Sequence, residues 1–186
     1  MNIAAQPPVQ ADQTIYLKDY QKPSFLVESI HLDIQVYDDH TLVDSTMVMK
    51  RQATGALVFL GRDLELKSIQ LNGQVLGAAQ YQLDSEQLVI IDAPDEVIVQ
   101  TQVIIHPESN TQLEGLYKAG DLFVTQNEPE GFRKITFYPD RPDVLSVFTT
   151  RVEADKKYPV LLANGNLLET GEVGEDRHFA IWQDPT

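Results

Sequence analysis

From Ile30 to Val36 the chain alternates strictly between apolar and polar side chains: Ile30, His31, Leu32, Asp33, Ile34, Gln35, Val36. A repeat of two belongs to an extended strand, whose successive side chains point to opposite faces, and no helix presents such a pattern as one stripe. Ile30, Leu32, Ile34 and Val36 therefore share one sheet face, with His31, Asp33 and Gln35 on the other. Val97, Val99, Thr101, Val103 and Ile105 repeat the pattern, and Ile98 and Ile104 on the opposite face leave room for cover on both sides. The runs Leu57–Leu60, Leu88–Ile91 and Val160–Leu162 are too short for helices and read as central strands. Asn72-Gly73 and Asn164-Gly165 suit tight hairpins, and Asp84-Ser85-Glu86 separates two further strands. Asp140-Arg141-Pro142-Asp143 has the make-up of a single helical turn. No amphipathic helix exceeds about two turns. The fold class is all-β: a β-sandwich or curved multi-sheet domain of mostly antiparallel strands.

The 186 residues suit one domain, and a domain of this size buries roughly 70% of its unfolded surface. Residues 1–14, with paired prolines and three glutamines, read as a loosely held tail, which leaves 15–186 as the β domain. Twenty-eight acidic against 14 basic residues give a net charge of −14. That balance argues against nucleic acid and anionic membranes, which need clustered Lys and Arg, and favours cationic partners. Its plainest consequence is solubility. There is no cysteine, hence no disulfide framework, thiolate nucleophile or Cys-based metal site. The start has no basic segment followed by an apolar core, so it does not read as a secretory signal, and no apolar run nears the roughly 18 residues of a membrane helix. The expectation is a soluble protein of the cytoplasm.

Catalytic constellations are sparse. His31, His40, His106 and His178 are scattered and no His-Glu-x-x-His occurs, so no metal site is expected. Gly171-Glu172-Val173-Gly174 lacks the Lys-Ser/Thr of a phosphate loop, and no serine sits in a nucleophile elbow. Glu128 and Glu130 would share a strand face, but Pro129 between them removes a backbone donor and favours a bend. On spacing alone they read as two solvated acids.

The segment Thr125-Gln126-Asn127-Glu128, Gly131-Phe132-Arg133 and Asp140-Arg141-Pro142-Asp143-Val144 changes that weighting. With Asn110–Tyr117 before it and Ala154-Asp155-Lys156, Tyr158-Pro159, Asn164-Gly165-Asn166 and Trp182-Gln183-Asp184-Pro185 after it, it resembles the amino-terminal domain of the zinc aminopeptidases of the aminopeptidase N type. The resemblance covers roughly residues 16 to 185. It implies a saddle-like β-sandwich that caps a zinc-bearing catalytic domain of the same polypeptide, with zinc a cofactor of the parent enzyme and not of this segment. The family's Gly-Ala-Met-Glu-Asn motif is absent, like the zinc helix, so no catalytic residue is assigned here. By resemblance Glu128 binds the free α-ammonium of a peptide substrate and Gln126 lines the pocket for the first side chain. Alternation would put both on one strand face. Pro129–Phe132 is expected against a partner surface, and Trp182 in core or domain-interface packing.

Arg133 and the Asp140–Asp143 cluster read as structural, with arginines bridging carboxylates and Pro142 stiffening a turn. Leu113–Tyr117 reads as another shaping turn, with Gly115 supplying backbone freedom. Two rivals belong to other classes. A stand-alone binding module for carbohydrate or protein would show a row of exposed aromatics, for which only Tyr16, Tyr20 and Phe25 offer themselves. A jelly-roll glycosidase would use Glu128 and Glu130, although its carboxyl groups usually come from different strands.

Overall fold

The computed structural model describes residues 16–185; the expected tail at 1–14 lies outside them. Among the described residues thirteen strands run in chain order: β1 Phe25–Val36, β2 Thr41–Arg51, β3 Leu57–Leu60, β4 Glu65–Leu71, β5 Gln74–Val75, β6 Tyr81–Leu83 and β7 Gln87–Ile90. They continue with β8 Glu96–Ile105, β9 Gly115–Ala119, β10 Leu122–Gln126, β11 Val147–Asp155, β12 Asn166–Val173 and β13 Arg177–Asp184. Among the described residues helix is confined to 3-10 turns at Leu17–Asp19 and Phe132–Lys134. The all-β reading holds.

Eight strands form one sheet in the order β12-β13-β11-β1-β2-β8-β4-β5. All its pairs are antiparallel except β1 with β11. A three-stranded sheet β3-β7-β6 and the ribbon β9-β10 complete the fold. One face of the large sheet is buried where the alternation requires it: Ile30 and Leu32 of β1, Val43, Met47 and Met49 of β2, and Val97, Val99, Val103 and Ile105 of β8. Leu57, Phe59, Leu88 and Ile90 of the small sheet join the same apolar cluster, as do Ile135, Phe137 and Tyr138 of the long connection before β11. Tyr138 and Leu60 exchange backbone hydrogen bonds of 2.8 and 3.1 Å, which staples that connection to the small sheet.

On β1 the sequence pattern and the structure agree: Ile30, Leu32 and Val36 are buried, Ile34 is half-buried, and His31 is exposed. Cover of β8 is one-sided, since Ile98 is exposed and Gln100, Gln102 and Ile104 are only half-buried. Asn72-Gly73 turns β4 into β5 with both residues at positive φ. Asp84 shapes the β6–β7 turn by accepting hydrogen bonds from the backbone N–H groups of Glu86 and Gln87.

Three expectations fail. Val160–Leu162 is an irregular segment, not a central strand, with Val160 and Leu162 mostly exposed. It is tied instead by Trp182, whose indole Nε1 donates to the Leu161 carbonyl at 3.2 Å, and Asn164-Gly165 leads from it into β12 without closing a hairpin. An apolar run of three could not distinguish core from uncovered surface. Asp140–Asp143 forms a non-helical turn closed by the Val144 N–H to the Arg141 carbonyl at 3.1 Å, and the helical turn falls at Phe132–Lys134.

Candidate functional site

The ladder of β10 against β9 ends with Gln126 opposite Gly115. Glu128 therefore lies beyond the strand, in a bend that includes a cis Glu128–Pro129 peptide bond. The expectation that Gln126 and Glu128 share a strand face is corrected. Pro129 has no N–H to offer a ladder, and the chain folds back on itself. The two residues still meet, because Gln126 Nε2 donates to the Glu128 backbone carbonyl at 3.1 Å. Both side chains are exposed.

The fold-back requires glycine at 131. A Cβ there would stand 2.6 Å from the Gln126 carbonyl oxygen and 3.0 Å from the Asn127 Cα, both backbone atoms that cannot swing aside. Gly115 has a similar task across the ribbon. It sits at φ +69°, and a Cβ would meet the Lys134 Cβ at 2.6 Å. The expected turn thus lies just ahead of it, held by Asn110 Nδ2 donating to the Glu114 and Leu116 carbonyls at 2.6 and 3.0 Å. Gly115 itself opens β9.

The return limb is clamped by one buried carboxylate. Asp140 Oδ2 accepts from the Gly131 N–H at 3.1 Å, the Arg133 N–H at 3.2 Å and Arg133 Nε at 2.8 Å. Arg133 Nη2 donates to the Asp140 carbonyl at 3.0 Å and pairs with Glu130 Oε2 at 2.8 Å. Arg133 bridging two carboxylates matches the structural reading of the sequence. Arg141 likewise ties Asp143 to the Gln21 carbonyl. Its guanidinium holds the Asp143 carboxyl below the usual range, against a smaller opposing effect of burial. Tyr20 donates to Asp143 at 2.9 Å, and that hydrogen bond raises its own pKa.

Phe132 departs from the expected partner surface. Its ring packs edge-on against Tyr138 and Phe148, with centroids 5.0 and 5.7 Å away, inside the domain. Sequence reasoning also passed over Lys134, buried beside the bend with Nζ 2.7 Å from Asp63 Oδ2. Its lysine character gave no hint of burial. Also unforeseen was a network on β1, β11 and β13, in which Arg151 pairs with Asp33 and Glu153 while Arg177 pairs with Glu153. Burial alone would push the Glu153 carboxyl up, but hydrogen bonds from Arg177 and Arg151 prevail and hold it below the ordinary range.

The two carboxylates of the bend differ. Glu130 is taken by Arg133, whereas Glu128 has no ion-pair partner among the described residues. Neither Gln126 nor Glu128 lines the hollow of about 320 Å³ bounded by Asp63, His106, Asn110, Gln112 and Lys134. The bend is open surface. No three His, Asp or Glu among the described residues come together as a metal-holding group, so they offer no donor set for zinc. The row of exposed aromatics that a sugar-binding module would present is broken, because Phe25 is buried under the Arg51 guanidinium.

The family model of the peptidase M1 N-terminal domain matches residues 19–186. The chain belongs to that family. Among characterised relatives, this M1 domain is 44% identical to aminopeptidase N of Caulobacter vibrioides over 93% of its length, and 41% identical to aminopeptidase N of Escherichia coli over 95%. It spans about a fifth of the length of either, 20% in each case. Among solved structures it resembles Legionella pneumophila aminopeptidase A, captured with aspartic acid, at a TM-score of 0.84 and 28% identity. That match covers 90% of this chain and 20% of the other. An M1 zinc metallopeptidase of Deinococcus radiodurans shares the fold at a TM-score of 0.72 and 16% identity, over 86% of this chain and 39% of the other.

Proposed function

We propose that this M1 domain is the substrate-anchoring and scaffold part of a zinc aminopeptidase that releases amino-terminal residues from peptides, with Glu128 as the anchor for the substrate's α-ammonium and Gln126 beside the pocket for the first side chain. The observation that carries the assignment is the contrast between the two acids of the bend: Glu130 is neutralised by Arg133, and Glu128 is exposed with its carboxylate free of ion pairs among the described residues. A free α-amino group has a pKa near 8 and is mostly cationic at neutral pH. A carboxylate facing it in a cleft closed by a second domain would lose water and gain a charge-assisted partner. A blocked or internal amide would leave that acid unpaired, at a cost of about 2–5 kcal/mol. Such a difference makes a peptidase cut one residue from the end.

The zinc belongs with residues outside this segment, and when bound it supplies the activated water for peptide hydrolysis. What these residues do is orient the substrate: the carboxylate fixes the amino end, and Gln126, tied to the Glu128 carbonyl, stands at the mouth of the side-chain pocket. The catalytic domain would cover the apolar surface around Trp182, where Val160, Leu162, Leu167 and Leu168 are each half or more exposed. A cytoplasmic location for the assembled enzyme fits the cysteine-free sequence.

The test is a pair of variants in the full-length enzyme. Glu128→Ala should lower kcat/KM for free-amino peptides by roughly 10²-fold, the lower half of the charge-pair cost. Glu130→Ala should lower it far less. Equal small losses, or a larger loss at Glu130 with the fold intact, would assign the anchor to the wrong residue.

A further inference from the structure

We infer that Asp140, acting with Arg133, is a positioning residue that aims Glu128. The inference rests on Glu128 being the ammonium anchor. An exposed side chain with no ion pair of its own among the described residues has nothing but its backbone to aim it, so whatever fixes the backbone on either side fixes the carboxylate. On the amino-terminal side that is the last rung of the ribbon, Gln126 opposite Gly115. On the carboxy-terminal side it is Gly131, whose N–H is held by Asp140 Oδ2 at 3.1 Å. Only Pro129 and Glu130 separate Glu128 from that tie, and Glu130 is itself drawn to Arg133.

Asp140 suits this task better than a neutral residue would. Its Oδ2 takes three donors, one of them a guanidinium nitrogen at 2.8 Å, and the residue is only 8% exposed. An ionised carboxylate in a partly dehydrated site holds N–H groups more firmly than an amide oxygen does. The Asn side chain matches Asp in shape, but it carries no charge and has only one oxygen. One of its two orientations turns an NH2 group towards three donors. The return limb would then be free to shift while the core beneath it stayed packed. Displacements on the order of 1 Å in substrate-positioning groups cost up to about 10²-fold in rate, so a loosened bend should cost about tenfold.

The experiment is a double-variant cycle in the full-length enzyme, combining Asp140→Asn with Glu128→Ala. Alone, D140N should lower kcat/KM for a free-amino dipeptide about tenfold, mainly through KM, with zinc content unchanged. In the E128A background it should cost nothing further, because the group it aims has been removed. Equal losses in both backgrounds, or no loss in either, would overturn the inference and leave the anchor assignment standing. An E128A variant as active as the parent would overturn the anchor assignment and this inference with it. If D140N does not fold, Arg133→Lys enters the same cycle, since it keeps the positive charge but loses the forked contacts to Glu130 and Asp140. It should show the same non-additivity with a loss of a few fold.

Discussion

The sheet interior around β1, β2 and β8 and the bend from Gln126 to Arg133 are built on opposite principles. In the first, alternating aliphatic side chains lock together with Phe59 and Leu88 of the facing sheet, and each is nearly sealed from water. In the second, Gln126, Glu128, Pro129 and Glu130 are exposed, and the backbone is held by a single carboxylate and a forked arginine. Burial is non-directional and adds up over many groups, so it supplies stability without placing any one atom. The polar clamp is directional: it fixes the backbone on which one exposed side chain stands. A domain with the proposed role of presenting a carboxylate would need both, kept apart, so that the site can be exposed without weakening the core.

The sharpest way to break this contrast is at Phe59, which is fully buried. Phe59→Ala should destabilise the isolated chain by about 3–5 kcal/mol, read from urea unfolding, because the small sheet would lose its central contact and leave a cavity. Asp140→Asn should cost less, about 1–3 kcal/mol in the same assay, for a buried hydrogen-bonding group left with poorer partners. A larger loss at Asp140 than at Phe59 would mean that the clamp, not the core, sustains the fold.

Acid provides a third comparison. Glu153 is held below the ordinary carboxylate range by Arg177 and Arg151 despite its burial. A carboxyl group whose folded pKa is depressed contributes stability above its unfolded value, near 4.3, and loses that contribution as pH falls through the folded value. Unfolding measured at successive pH values should therefore show stability declining below about pH 4.3. Glu153→Gln should flatten part of that slope. The aliphatic core has no titrating group and should not contribute to it.

The smallest expected effect on stability is at the candidate site itself. Glu128→Ala removes an exposed side chain without an ion pair among the described residues, so the free energy of unfolding should change by no more than about 0.5 kcal/mol.

The same contrast explains which features could be read from the sequence. Strand and core at Ile30–Val36 and Val97–Ile105 were legible because a period of two states which face is buried. Val160–Leu162 was misread because three apolar residues in a row carry no such information, and here they lie on uncovered surface. The bend could be located, since Pro129 and Gly131 mark it, but its geometry could not. That Glu128 leaves the strand, and that Asp140 rather than a helical turn secures the return, depends on hydrogen bonds between residues up to nine apart. No periodicity records such contacts. Lys134 and the Glu153 network were missed for a related reason: lysine and glutamate are normally solvated, and only their partners Asp63, Arg151 and Arg177 make burial tolerable.

The central claim is that Glu128 reads a positive charge on the substrate, and inhibition of the full-length enzyme tests it directly. An amino acid product and its des-amino analogue, identical but for the α-ammonium, are compared as competitive inhibitors of the parent and of Glu128→Ala. The account predicts that the parent prefers the amine strongly, by roughly 10²-fold, and that most of this preference vanishes in the variant while the analogue's own inhibition constant stays nearly unchanged. A preference for the amine that survives intact in Glu128→Ala would contradict the account.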